Sequence, residues 1–113
     1  MHISIETHDT SLAEQLYENL YLTQGNVIEL PGNGNLVFDG TMTSKGLISE
    51  LPSIFEFTLS FAGGAASSLI ANWLYEKLKG RKVTTVSFDR KEVQISKDGF
   101  ERRISESIKL EQK

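Results

Sequence analysis

The stretch FEFTLSFAGGAASSLIANWLYEKLKG, Phe55 to Gly80, decides the fold. From Phe57 to Tyr75 it runs nineteen residues without a charge and includes the adjacent glycines Gly63 and Gly64. Three structures compete for such a run: a membrane span, a phosphate-cradling loop, or the centre of a small domain. Periodicity separates them. Phe55, Phe57, Leu59 and Phe61 alternate with Glu56, Thr58 and Ser60, which predicts a half-buried strand. Beyond the glycines the period lengthens. Ala66, Leu69, Ile70, Trp73, Leu74 and Leu78 form a helical stripe, while Ser68, Asn72, Tyr75, Glu76 and Lys79 occupy another face. The run is therefore expected to be a strand, a tight turn and a helix ending at Gly80. Neither piece approaches the roughly twenty apolar residues of a spanning helix, so no membrane span is expected.

Working toward the N-terminus, residues 41 to 53 show no clean period and are expected to connect, with at most one helical turn. NVIEL and NLVFDG flank PGNG, whose proline, glycines and asparagines suit a turn with positive φ, so a hairpin is predicted. SLAE has the capping-box form, Ser11 to Glu14, ahead of Leu12, Leu16 and Leu20 at fourfold spacing. That pattern, with Gly25 as a left-handed stop, predicts a helix over about residues 12 to 23. HISIET alternates as a first strand. Toward the C-terminus, KVTTVSF and EVQIS flank DRK as a second hairpin. DGFE offers Asp98 as N-cap of a helix with Phe100, Ile104 and Ile108 on one face. A strand from Ile104 to Leu110 is the alternative for that segment.

The order strand, helix, hairpin, strand, helix, hairpin, helix predicts a single α+β domain over residues 1 to 113. Its sheet is expected to be mixed or mainly antiparallel, with two to three helices packed on it. The chain is long enough to bury a core without staples, and it has no cysteine, which excludes disulfides and thiolate metal sites. Two histidines, His2 and His8, leave little for a histidine-based centre, and no metal or cofactor is expected. MHISIETHDT lacks a basic region followed by an apolar run, so a secretory signal is not expected and a cytoplasmic location is.

The net charge of −3 is unevenly spread. Met1 to Glu56 holds eight acidic residues and one basic residue, whereas Phe57 onward holds seven acidic and eleven basic. Two faces of opposite sign follow. They either attract each other within the fold or steer a partner of opposite charge.

No residue set forces a chemistry, and no catalytic residue is assigned. GGAASS lacks the lysine of a P-loop, so close packing of a sharp turn competes with anion binding at Gly63 to Ser68. There is no G-x-S-x-G nucleophile elbow, and Asp9 beside His8 is explained by capping. Lys77, Lys79, Arg81, Lys82, Arg90 and Lys91 form a basic cluster able to track phosphates. Trp73 and Phe88, the aromatics near them, are better suited to the core than to base stacking.

The layout HISIE, LAEQLYENL, GNVIEL, GTMTSKG, FTLSFAGGAASSLIANWLYEKL, KVTTVSF and EVQIS resembles the effector-associated constant component proteins of bacterial conflict systems. The resemblance covers most of the chain. It implies a small adaptor or regulatory partner of an effector, without catalysis of its own, and transfers no catalytic residue. Together with the acidic half, it leads to the expectation of a protein-binding module whose partner, an effector or toxin, has a basic surface. The contact residues expected are Glu14, Glu18, Glu29 and Asp39, with Tyr17 and Tyr21 as partly exposed anchors. The alternative is a nucleic-acid-binding domain using the basic half.

Overall fold

The computed structural model describes residues 1–42 and 51–111. Six strands and three helices follow in the order β1 His2–Thr7, α1 Leu12–Tyr17, β2 Val27–Leu30, β3 Gly34–Met42, β4 Ser53–Phe61, α2 Ser67–Leu78, β5 Val83–Phe88, β6 Lys91–Val93 and α3 Lys97–Glu111. The strands form one sheet in the order β2-β3-β4-β1-β5-β6, and every neighbouring pair is antiparallel. This is the expected α+β class, with the sheet wholly antiparallel.

Alternation along each strand assigns its two faces. Ile3 and Ile5 stand opposite Phe57 and Phe55 on β4, and opposite Phe88 and Val86 on β5. Leu36 and Phe38 stand opposite Leu59 and Phe57. All of these side chains are buried. The three helices cover this face. Tyr17 of α1 stacks on Phe57 at 6.3 Å and meets Phe38 at 6.1 Å. A methyl group on Gly34 would lie 3.0 Å from Ile70 of α2. Phe100 of α3 packs on Phe88 at 5.5 Å. Full burial of each such side chain contributes roughly 1.5–3 kcal/mol. The described residues thus form two layers, with helices on one side of the sheet and none of them covering the other face.

The decisive stretch behaves as its periods require, with one shift. The inner stripe of α2 is Ile70, Ala71, Leu74 and Leu78, while Leu69 points outward. The turn before it docks on PGNG: Ala66 N–H donates to Gly32 O at 2.9 Å, and the Asn33 side-chain amide donates to Gly63 O at 3.3 Å. Gly32 sits at φ 88, and a side chain there would strike Ala66 O at 2.8 Å, so glycine is required on both counts.

Helix α1 departs most from expectation. It ends at Tyr17, with Glu18 itself in the left-handed region at φ 51, and Gly25 closes a later turn by donating to Phe38 O. Leucine spacing over-extended the helix because Leu20 belongs to no apolar face. The capping box is also absent: Ser11 Oγ donates to Asp9 Oδ1 at 2.8 Å, and Asp9, in an Asx-type turn, accepts Ser11 N–H as well. At α3, Ser96 rather than Asp98 is the cap, its Oγ accepting Gly99 N–H at 2.9 Å. Residues 104–110 are helical. The second hairpin turns through Asp89 and Arg90 alone, with φ 50 and 67, so Lys91 is already strand. Thr41 and Met42 prolong β3 and Ser53 opens β4; the helical turn allowed within 41 to 53 lies in part outside the described residues.

Candidate functional site: the bare face of the sheet

Strand phase places all five carboxylates of the described strands on the uncovered face. Glu6, Glu29, Asp39, Glu56 and Glu92 each alternate with a residue that points into the core or toward the helix layer. Lys91, the one cation in a described strand, pairs with Phe88 and so lies in the opposite phase. The positive groups of α2 and α3 belong to the other layer. The described helices carry cations and acids in nearly equal number, so the one-signed surface is the strand face alone, and it is set by strand phase rather than by half of the chain.

Neighbouring strands hold three of these acids in place. Asp39 is the extra residue where the β3–β4 register shifts, and its Oδ2 accepts from Thr58 Oγ1 at 2.6 Å. Thr84 fills the same role opposite β1 and donates to Glu6 Oε1 at 3.0 Å. At the centre, Ser4 Oγ donates to Glu56 Oε2 at 2.6 Å, and His2 Nε2 contacts the same oxygen. A serine, a histidine and an acid thus meet, but the hydroxyl proton is aimed at the carboxylate. The imidazole touches both neighbours through one nitrogen. A nucleophile–base relay needs the base between the other two groups; this trio orients a carboxylate instead. Among the described residues no set of three His, Asp or Glu side chains is placed to hold a metal.

Between Glu29 and Asp39 lies an apolar pair. Val27 stands directly opposite Val37 on the bare face, and Val27 is 56% exposed. The pair lies at the β2 edge of the sheet with Glu29 and Asp39 beside it, an apolar spot flanked by acids, as protein contacts combine apolar and polar groups.

The six expected contact residues do not form one surface. Glu29 and Asp39 lie on the bare face. Glu14, Glu18 and Tyr21 lie on or beside α1, across the sheet, and Tyr21 is 88% exposed. Tyr17, expected as a partly exposed anchor, is buried in the core and donates to Leu36 O at 2.7 Å. Burial, and then the charge of Asp39, push its phenol well above the usual tyrosine range. Sequence reasoning missed Glu6, Glu56 and Glu92, although the signal was present: each occupies the polar phase of an alternating strand.

The basic cluster is divided. Lys79 and Lys97 both pair with Glu76, at 2.7 and 3.3 Å, and hold its carboxyl below the usual range, the Lys79 hydrogen bond foremost. Arg81 reaches Asp9 at 3.7 Å, and Lys77 lies over the Trp73 ring at 5.9 Å. Arg90 and Lys91 sit apart at the second hairpin, and Phe88 is fully buried. At Gly63 to Ser68, the Ala66 N–H is taken by Gly32 O. No described helix is long and apolar enough to cross a membrane. Comparison with known proteins finds no matching family model, no matching curated protein and no matching solved structure.

Proposed function

We propose that this chain is a small protein-binding module of a bacterial conflict or defence system. It acts inside the cell as an adaptor or as an immunity protein that neutralises a toxin, and carries no catalysis of its own. The observation that carries this reading is the bare sheet face: five carboxylates, no lysine or arginine among the described strand residues in that phase, and the exposed Val27 paired with half-buried Val37 between Glu29 and Asp39. A partner with a basic surface is drawn by the field and selected by charge, while Val27 and Val37 supply an apolar contact at the β2 edge. The resemblance in layout to effector-associated components supports the biological setting.

The test begins with a tagged chain purified from its native host, with and without nuclease, and mass spectrometry of what accompanies it. A stoichiometric protein that survives nuclease is expected. Its affinity is then measured against the triple variant Glu6→Gln, Glu29→Gln and Glu92→Gln, which is expected to bind at least about tenfold more weakly and with less salt dependence. Unchanged affinity and salt dependence would overturn the assignment of this face. Recovery of nucleic acid alone, lost on nuclease treatment, would replace the reading with the nucleic-acid one.

A further inference from the structure

We infer that the groove at the end of α1 docks a partner protein segment presenting a lysine or arginine beside an apolar side chain. The inference rests on the protein-binding proposal and gives it a second contact surface. Three observations converge on the groove. It is an open groove of about 440 Å³, lined by Glu14, Glu18 and Leu20 from α1 and the chain after it and by Lys77 and Arg81 from α2 and the chain after it. Because Glu18 turns left-handed and ends α1, the chain leaves the core early and presents Leu20 and Tyr21 to solvent, 86% and 88% exposed. Single exposed apolar residues are ordinary; two adjacent ones beside a groove are a contact feature.

The charges of the groove are unequally engaged. Arg81 is turned toward Asp9, and Lys77 lies over Trp73. Among the described residues Glu14 and Glu18 have no ion-pair partner, and Glu14 Oε2 is shut off from solvent without a hydrogen-bond donor. A carboxylate oxygen in that condition gains by turning onto an incoming cation. The aliphatic stem of that lysine or arginine, and the apolar residue beside it, cover Leu20 and Tyr21. Since α1 and the bare sheet face belong to opposite layers, one chain holds two partners at once. That is the adaptor form of the proposed function rather than a one-partner inhibitor.

The test is an amide-shift titration of the full chain by NMR with three blocked peptides: acetyl-Leu-Arg-amide, acetyl-Leu-Glu-amide and acetyl-Leu-amide. The arginine peptide is expected to give saturable shifts centred on Glu14 to Leu22, with at least about tenfold higher affinity than the glutamate peptide. The Glu14→Gln, Glu18→Gln pair is expected to lower that affinity at least about tenfold. Leu20→Ser, at a position too exposed to affect folding, is expected to weaken it as well. Glu6→Gln, Glu29→Gln and Glu92→Gln are expected to leave it unchanged, which separates this surface from the sheet face. The inference is overturned if the glutamate peptide binds as tightly, if the arginine peptide gives no saturable shift, or if its shifts map to the sheet face.

Discussion

Two buried polar side chains show how single residues tie this fold together. Thr7 is fully buried; its hydroxyl donates to Arg81 O at 2.7 Å and its oxygen accepts Asp9 N–H at 3.0 Å, locking the end of β1 to the chain entering β5. Replacing Thr7 with valine keeps the shape but strands these groups, and a loss of about 2–3 kcal/mol is expected in urea unfolding, largely restored by serine. Tyr17 makes the second tie and carries a pH signature. Its phenol is held protonated in the folded state, whereas in the unfolded chain it ionises around its ordinary value of 10.0. Its contribution to stability is thus fully present below that value and is lost as pH rises above it, with a slope approaching about 1.4 kcal/mol per pH unit. Tyr17→Phe is expected to cost about 1 kcal/mol at neutral pH and to remove this part of the alkaline decline. Unfolding midpoints of both proteins at neutral pH and at about pH 11 decide it.

At the scale of elements, the second hairpin and the start of α3 are where sequence and backbone disagree. The β5–β6 turn places Asp89 and Arg90 at positive φ, a conformation that primed hairpin turns demand and that glycine adopts without strain. Asp89 also accepts His2 N–H at 2.8 Å, so the residue to change is Arg90. Arg90→Gly is expected to stabilise by about 0.5–1 kcal/mol, read as a rise in the thermal midpoint. Gly99 presents the reverse case. Alanine is the better helix former, yet its methyl group would lie 2.6 Å from Gln94 O, because the first turn of α3 is pressed against the chain leaving β6. Gly99→Ala is therefore expected to destabilise by about 1–3 kcal/mol. Strand existence, both hairpins and α2 were legible because strong alternation, turn residues and the apolar stripe from Ala66 to Leu78 all agreed. The end of α1 was not legible, since Leu20 repeats the spacing without having a surface to bury against.

At the scale of the molecule, one sheet face is acidic while the described helices mix both signs. Acids gathered on one sheet face repel one another, and that repulsion is tolerable because hydroxyls and His2 offset part of it and the face is open to water. Removing three of those acids with Glu6→Gln, Glu29→Gln and Glu92→Gln is expected to leave the thermal midpoint unchanged or slightly raised, while it weakens the proposed partner contact. A clear fall in the midpoint would mean these acids hold the fold together instead. In the same picture the association rate with a basic partner falls as salt rises, because exposed charges act over about a Debye length.

By itself the sequence determined the class of this protein: which segments alternate, which are helical, where the chain turns, and that no cysteine chemistry operates. These are local properties, set by side-chain period and backbone preference within a few residues. Only the tertiary structure decided which acids share a surface. Glu14 and Glu29 are close in the chain yet lie on opposite layers, while Glu6 and Glu92 are far apart and share one face. The physical reason is that the described helices cover one side of the sheet, so strand phase, not position along the chain, selects which acids share the open face. The same fold buries Tyr17 and exposes Tyr21 four residues later, because α1 ends at Glu18, whose left-handed backbone turns the next residues outward.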